Sequence, residues 1–287
     1  MTYFDPKTVK YPYPLDTATH YLEVKKDDKT VFDKDYPYVD TSKKFKRKRF
    51  WFNIVLRTVA FLITRIRLGL KVEGRKNLKA NKEVIKNGLI TVCNHVHMWD
   101  FLGILASIKP YHPYHLSWDK NVRGENGKLI RLIGGIPIPV NDLRGSYAFT
   151  KQVKEMIESG GLLHLYPEGS MWEYYAKIRP FKEGAFFFAY KTGRPVLPLA
   201  YSYRKPGFIR AKIFKQIATF TLHIGTPIYP NMDLPKDEAI KDLAIRVHEA
   251  MVELAQIEDN LYPALYDNSQ RIDYYTSEYG IGYKGSW

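Results

Sequence analysis

The sequence predicts an α/β protein: a single domain with a mixed, partly parallel sheet flanked by helices, preceded by an amphipathic helical segment. Two observations carry this expectation. Short apolar runs, LITVC (89–93), LLHLY (162–166) and VLPLAY (196–201), are bounded by Gly, Pro or Asn and read as buried strands. Helical stretches lie between them, near 99–108, 125–133, 145–158 and 183–192, in the alternation that builds α/β sheets. A chain of 287 residues is long enough to bury one substantial core around such a sheet.

Taken in chain order, residues 1–42 are rich in Tyr, Asp, Lys and Pro and read as an irregular extension. A block of positive charge, KKFKRKR, runs from Lys43 to Arg49. The segment from Trp51 to Leu70 follows at once, and Arg57, Arg65 and Arg67 interrupt it too often for a membrane span. On a helical wheel Asn53, Arg57, Thr64 and Arg67 gather on one side, and Phe52, Val55, Val59, Leu62 and Ile66 on the other. Such a helix either packs its apolar stripe on the protein's own core or lies in the headgroup region of an anionic bilayer. The adjoining basic block favours the bilayer.

Further strands are expected near 113–118, 135–140 and 217–225, and a long amphipathic helix over 236–256, with Leu243, Val247 and Met251 on one face. The Tyr-rich tail from 259 has no clear periodicity. These features divide the chain into an extension (1–42), a membrane-docking segment (43–75), a catalytic domain (76–258) and a tail (259–287).

A formal charge of +14 calls for an anionic partner, either nucleic acid, an acidic lipid surface or an acidic protein. No nucleic-acid-binding motif is recognisable, and the charge concentrates beside an amphipathic helix, so an anionic membrane surface is the expected partner and nucleic acid is not. One cysteine, Cys93, excludes an intrachain disulfide. The first ten residues lack the apolar stretch of a signal peptide. Both fit a peripheral protein on the cytoplasmic face of a membrane.

The chemistry concentrates in VCNHVHMWDF, residues 92–101. His95 sits just past the end of a buried strand, where ligands bind in open α/β sheets. Asp100 follows five residues later, at an expected helix start. A carboxylate at that spacing can hold one imidazole tautomer and stabilise the imidazolium formed when the other nitrogen takes a proton. Asp100 as a simple helix cap and His95 as a structural histidine is the plainer alternative. His97 is a rival base without an acidic partner at comparable spacing.

A second segment, residues 165–189, puts Glu168 at another strand's carboxyl end, followed by Gly169 and Ser170. Glu168 can accept hydrogen bonds from an acceptor hydroxyl or organise the loop around the base. Lys177, Arg179 and Lys182 suit phosphate groups or form a solvated basic face. Trp172, Tyr174 and Tyr175 line an acyl path, lie at a membrane surface or simply pack. No G-x-S-x-G elbow and no zinc-type His or Cys spacing occurs.

Together these segments resemble the bacterial 1-acylglycerol-3-phosphate O-acyltransferase family, within the phospholipid and glycerol acyltransferases. The family's N-H-x-x-x-x-D block is met by Asn94, His95 and Asp100, and its F/Y-P-E-G-T/S block by Tyr166 through Ser170. The following F-K-x-G-A is met by Phe181, Lys182, Gly184 and Ala185, with Ala189 downstream. A V-x-P-V/L strand is met by Val196, Pro198 and Leu199, and the G-x-I-x-I/V block by Gly135, Ile136 and Ile138. The likeness covers roughly residues 45–255, and several blocks in the right order are far more specific than one.

The resemblance implies His95 and Asp100 as the catalytic pair and Glu168 and Gly169 in the acceptor-binding block, with Asn94 and Ser170 beside them. It also implies an N-terminal two-helix membrane-docking element. The implied reaction moves a fatty acyl group from acyl-CoA or acyl carrier protein to the free hydroxyl of a lysophospholipid, with no bound cofactor or metal.

Two arginines that the family's blocks normally carry, and that the resemblance associates with the acceptor's phosphate, are missing. The chain reads GGIPIPVNDLRG where the first belongs, leaving Arg144 displaced by several residues, and has Met171 and Trp172 in place of the second. Arg144, Lys177, Arg179 or Lys182 are the substitutes. Another acceptor (glycerol phosphate, an ornithine lipid or a glycolipid) and a non-catalytic membrane-binding protein are the competing readings.

Overall fold

A computed structural model of the chain describes residues 28–257, apart from positions 173, 176, 215 and 217. The elements run α1 (Lys43–Ile66), β1 (Lys71–Glu73), α2 (Arg75–Ala80), α3 (Lys82–Lys86), β2 (Leu89–Val92) and α4 (Asp100–Ser107). Next come β3 (Tyr114–Ser117), α5 (Asp119–Arg123), α6 (Gly127–Ile133), β4 (Gly135–Pro137), α7 (Leu143–Glu158) and β5 (Leu162–Leu165). The chain continues through α8 (Gly184–Thr192), β6 (Val196–Arg204), α9 (Phe208–Lys212), β7 (Thr219–Ile224) and α10 (Lys236–Ala255).

The strands form one seven-stranded sheet in the order β1-β7-β6-β2-β5-β3-β4. From β6 to β4 all neighbours are parallel, whereas β7 is antiparallel to β6 and carries β1 parallel to itself. The mixed sheet is therefore the one the sequence predicts. Its central strand β2 is buried along its whole length. Ile90 and Val92 enter the core shared with α7, α8 and α10, and Leu89 and Cys93 enter the core on the opposite face. A strand covered on both faces needs the continuous apolar run that LITVC supplies.

β2 and β5 lie side by side, but their connections leave in opposite directions. The β2 loop enters α4, which packs on α1 and β7, while the β5 loop leads to α8, which packs on α7 and α10. Loops that part in this way open a crevice at the carboxyl ends of the strands. His95 and Glu168 stand on those two loops.

Three boundaries differ from expectation. The segment from 43 to 74 holds one helix, not two: α1 ends at Ile66, and Gly69, at φ +54, turns the chain into β1. β1 is part of the sheet, so the folded domain begins before residue 76. Residues 28–42 have no regular structure yet are pinned to the domain: Phe32, Tyr38 and Val39 are buried, and Arg131 donates to the carbonyls of Pro37 and Tyr38. The expected tail (259–287) and the first 27 residues lie outside the described residues.

The orientation of α1 decides which of its two sides is left outward. Its polar stripe faces the protein. Asn53 and Thr64 are buried with Ala60; Arg57 donates to the Tyr111 carbonyl at 2.7 Å, and Arg49 lies over the Tyr114 ring while donating to the carbonyls of His112 and Pro113. Val55, Val59, Leu62 and Ile66 point outward and are about half exposed, as are Trp51 and Phe61. Among the described residues no helix is long and apolar enough to cross a membrane.

Candidate active site

The site is built from β2 and β5 outward. Asn94, the first residue of the loop after Cys93, is buried and clasps β6: its side-chain oxygen accepts from Tyr201 N at 2.7 Å, and its amide donates to the Tyr201 carbonyl at 3.1 Å. That clasp fixes the backbone on which His95 is the next residue. Asn94 spends its hydrogen bonds on the fold.

His95 Nδ1 lies 2.7 Å from Asp100 Oδ2, and the imidazole, whose side chain is 25% exposed, stacks on Tyr166 with ring centres 4.0 Å apart. Asp100 is buried and opens α4. Its Oδ2 also accepts from Val96 N at 3.1 Å, its Oδ1 accepts from Tyr166 Oη at 2.7 Å, and its own carbonyl accepts from Tyr201 Oη at 2.7 Å. A carboxylate held from so many sides has one orientation available. With Nδ1 donating to it, His95 Nε2 is left as the acceptor. Gly103, one turn further along α4, lets that helix approach the Tyr201 hydroxyl; a Cβ there would sit 2.0 Å from it.

Glu168 belongs to a second network beneath this pair. Its Oε2 accepts from His95 N at 3.0 Å and from Arg179 Nη2 at 2.9 Å, and its Oε1 accepts from Arg179 N at 2.9 Å. Arg179 is fully buried, donates to the Ser170 hydroxyl and carbonyl, and lies over the Trp172 ring. Trp172 N and Tyr174 N donate to the carbonyls of His95 and Val96, so the two loops run together as an irregular ladder. Such a buried pair holds position; removing one partner leaves the other's charge unpaired in a poorly solvating interior.

This arrangement sorts the sequence-predicted residues. His95 and Asp100 come together, with Glu168 directly behind them. Glu168 takes the second of its two expected roles, organising the loop. Ser170, Lys177 and Arg179 are buried, so the phosphate-binding or solvated face expected of the two basic residues does not form there. Trp172, Tyr174 and Tyr175 are buried as packing residues. Gly169, at φ +84, carries the Lys182 side chain directly against it; a Cβ would meet Lys182 Cε at 2.6 Å. Lys182 is exposed at that point. Arg144 is exposed at the start of α7, after the edge strand β4, where it lines a separate surface cavity with Lys34 and Tyr147.

Burial removes the rivals. It pushes the His97 pKa down to about 4, and that ring accepts from Trp99 N. The Cys93 thiol is pushed well up, by burial and by Asp100, and is no ready nucleophile. His164 is likewise held far below the usual imidazole range by burial; its Nδ1 lies 2.8 Å from Thr91 Oγ1. Burial and Asp100 also raise the Tyr166 phenol, which stays protonated as a donor. Tyr166 and Tyr201 were not singled out in the sequence as site residues. The first stands in the F/Y position of its motif; nothing local marks the second, whose role comes from pairing across the sheet. Among the described residues no group of three or more His, Cys, Asp or Glu side chains could hold a metal ion.

Parts of this chain are similar to known proteins. A family model described as Acyltransferase matches residues 69–202. The chain is 33% identical over 73 residues to the chloroplastic 1-acyl-sn-glycerol-3-phosphate acyltransferase BAT2 of Brassica napus, covering 25% of this chain and 21% of that protein. It is 30% identical over 114 residues to a 1-acyl-sn-glycerol-3-phosphate acyltransferase of Helicobacter pylori, covering 38% of this chain and 46% of that one. These matches span less than half the length of the curated relatives. The crystal structure of the 1-acyl-sn-glycerophosphate (LPA) acyltransferase PlsC from Thermotoga maritima has the same fold, with a TM-score of 0.51, 18% identity, and 77% of this chain and 86% of that one covered. The blocks around His95 and Glu168 fall inside residues 69–202, the part of this chain that is similar to the Acyltransferase family model.

Proposed function

We propose that the protein is a membrane-surface O-acyltransferase that moves a fatty acyl group from acyl-CoA or acyl carrier protein to the free hydroxyl of a lysophospholipid such as 1-acylglycerol-3-phosphate. The observation that carries this reading is the 2.7 Å contact between His95 Nδ1 and a buried, fully engaged Asp100 at the carboxyl end of β2. His95 Nε2 takes the proton from the acceptor hydroxyl, and the oxygen attacks the thioester carbonyl. The C–S bond breaks as the C–O bond forms, and the imidazolium returns its proton to the leaving thiolate. General-base catalysis of this kind contributes ~10²–10⁴ in rate. Tyr166 and Glu168 act as positioning residues, the first through Asp100 and the ring of His95, the second through the His95 backbone. Lys182, exposed over Gly169, is the cation best situated to meet the acceptor's phosphate.

Membrane docking is assigned to α1. From Phe50 to Ile66 its exposed side chains are apolar except for Thr58 and Arg65, and Lys43, Lys44 and Lys46 crowd its N-terminus, where the helix dipole disfavours cations. An anionic surface at that end offsets the repulsion, at about 1 kcal/mol per basic residue. On this reading the protein is peripheral, on the cytoplasmic face of the membrane.

The test is acyl transfer by the purified chain with vesicles, acyl-CoA or acyl carrier protein, and a panel of acceptors: lysophosphatidate, other lysophospholipids, glycerol phosphate, an ornithine lipid and a glycolipid. Thiol release with ester formation on lysophosphatidate is expected. Transfer to another member reassigns the acceptor, and binding to vesicles without transfer to any acceptor rejects the enzyme.

A further inference from the structure

The connection between β6 and β7 carries a second group of outward apolar side chains, and nothing in the proposed chemistry uses it. Phe208, Ile209 and Ile213 are 77%, 60% and 68% exposed, and Phe214 is half exposed. Scattered surface apolar residues are ordinary, but four within seven positions form a patch. The patch is fastened to α1. Arg210 donates to the carbonyls of Arg65 and Ile66 at 2.6 and 2.8 Å, and Gln216 donates to those of Ile66 and Arg67 at 2.7 and 3.1 Å. Those carbonyls, at or just past the last turn of α1, have no partner further along that helix, so α9 caps α1 from outside. The apolar outer face of α1 thus ends where the α9 patch begins.

Beside the patch is a surface cavity of about 440 Å³, lined by Arg204, Lys205, Arg210, Phe208, Gly69 and Thr219. Three of these are cations and none is a carboxylate. Arg204 is held in place by its bonds to Thr221 Oγ1 and the carbonyls of Gly69 and Phe220. Apolar side chains next to a basic recess match the layering of an anionic bilayer, with acyl chains beside phosphates. β6, which leads into this recess, is the strand that Asn94 clasps beside His95. The recess is therefore at the same end of the sheet as the catalytic pair.

We infer that the β6–β7 connection is a second bilayer-docking element, in which Phe208, Ile209, Ile213 and Phe214 enter the acyl boundary and the Arg204–Lys205–Arg210 recess takes a lipid headgroup phosphate. The inference rests on the reading of α1 as a docking helix. It adds that α1 alone is half of the contact, and that the two together hold the catalytic crevice at the membrane from both sides of the α1 C-terminus.

The native Cys93 is buried, so a Phe208→Cys variant of the full chain can be labelled with an environment-sensitive dye at that position alone. Vesicles of phosphatidylcholine with phosphatidylglycerol should shift its emission to the blue, and phosphatidylcholine alone should do so far less. In flotation, Phe208→Ser/Ile209→Ser should bind these vesicles roughly tenfold more weakly with an unchanged melting temperature, and Lys205→Glu should reduce the dependence on phosphatidylglycerol. No blue shift while the parent chain binds, or unchanged binding of the α9 variant while Val55→Ser/Val59→Ser weakens it, overturns the inference and leaves the α1 reading standing. A parent chain that does not bind vesicles removes both. A shift that needs no vesicles and follows protein concentration assigns the patch to a second copy and also overturns it.

Discussion

The crevice around His95 and the outer face of α1 solve opposite problems with similar residues. In the crevice, polar groups are enclosed and almost every one is answered by another: Asp100 by His95, Val96 and Tyr166, and Glu168 by His95 and Arg179. On α1 Asn53, Arg57 and Thr64 also turn inward, but there they leave a largely apolar face to the outside. Asn53, Arg57 and Thr64 spend their hydrogen bonds on the fold so that Val55, Val59 and Leu62 remain uncovered. Burial of a polar side chain therefore signals positioning of a reactive group in one region and vacating of a surface in the other. Activity should depend on the first region and attachment on the second, and the two should separate experimentally.

The largest separation is expected at Asp100. Asp100→Ala should lower turnover by about 10²–10⁴ while vesicle binding stays unchanged, because it frees the imidazole without touching α1. Equal loss of both in a folded variant would break the division. Glu168→Ala should act chiefly on stability. With Arg179 left buried and unpaired, about 3–5 kcal/mol should be lost in denaturant unfolding. Unchanged stability would mean that Arg179 finds water or another partner.

Val55→Ser/Val59→Ser should show the reverse profile, with vesicle binding weakened roughly tenfold and the melting temperature unchanged, since both side chains already face outward. A large fall in melting temperature would show that something covers this face.

The smallest effect is a dependence of stability on pH. Burial holds His97 and His248 down to about 4, and His164 lower than usual. The unfolded chain protonates these rings near pH 6.5, so it binds more protons than the folded chain below that value. Stability is complete above about pH 6.5 and falls as the pH is lowered towards 4. A drop of several degrees, roughly, in melting temperature between pH 7 and pH 5 is expected. A flat profile would show that those histidines are hydrated.

What the sequence disclosed follows from how local each signal is. The strands around LITVC, LLHLY and VLPLAY were legible because a strand covered on both faces must be continuously apolar. His95 and Asp100 were legible because their partnership spans five residues of one loop. Tyr201 was not, because its contact with the Asp100 carbonyl crosses the sheet. Arg179 read as a surface cation, since its spacing from Lys177 and Lys182 says nothing of the buried carboxylate that meets it. A helical wheel divided α1 into its two sides correctly but could not say which one meets the protein; that depends on Tyr111, Pro113 and Leu132, which approach it from far along the chain. The short α9 escaped notice because its apolar residues follow no buried pattern.

The proton transfer assigned to His95 is tested most directly by His95→Asn, assayed for thiol release from acyl-CoA in the presence of vesicles and the preferred acceptor. The account predicts that turnover falls to background, while the melting temperature and vesicle binding match those of the parent chain. Turnover near the parent's value in a folded, vesicle-bound His95→Asn protein would contradict it.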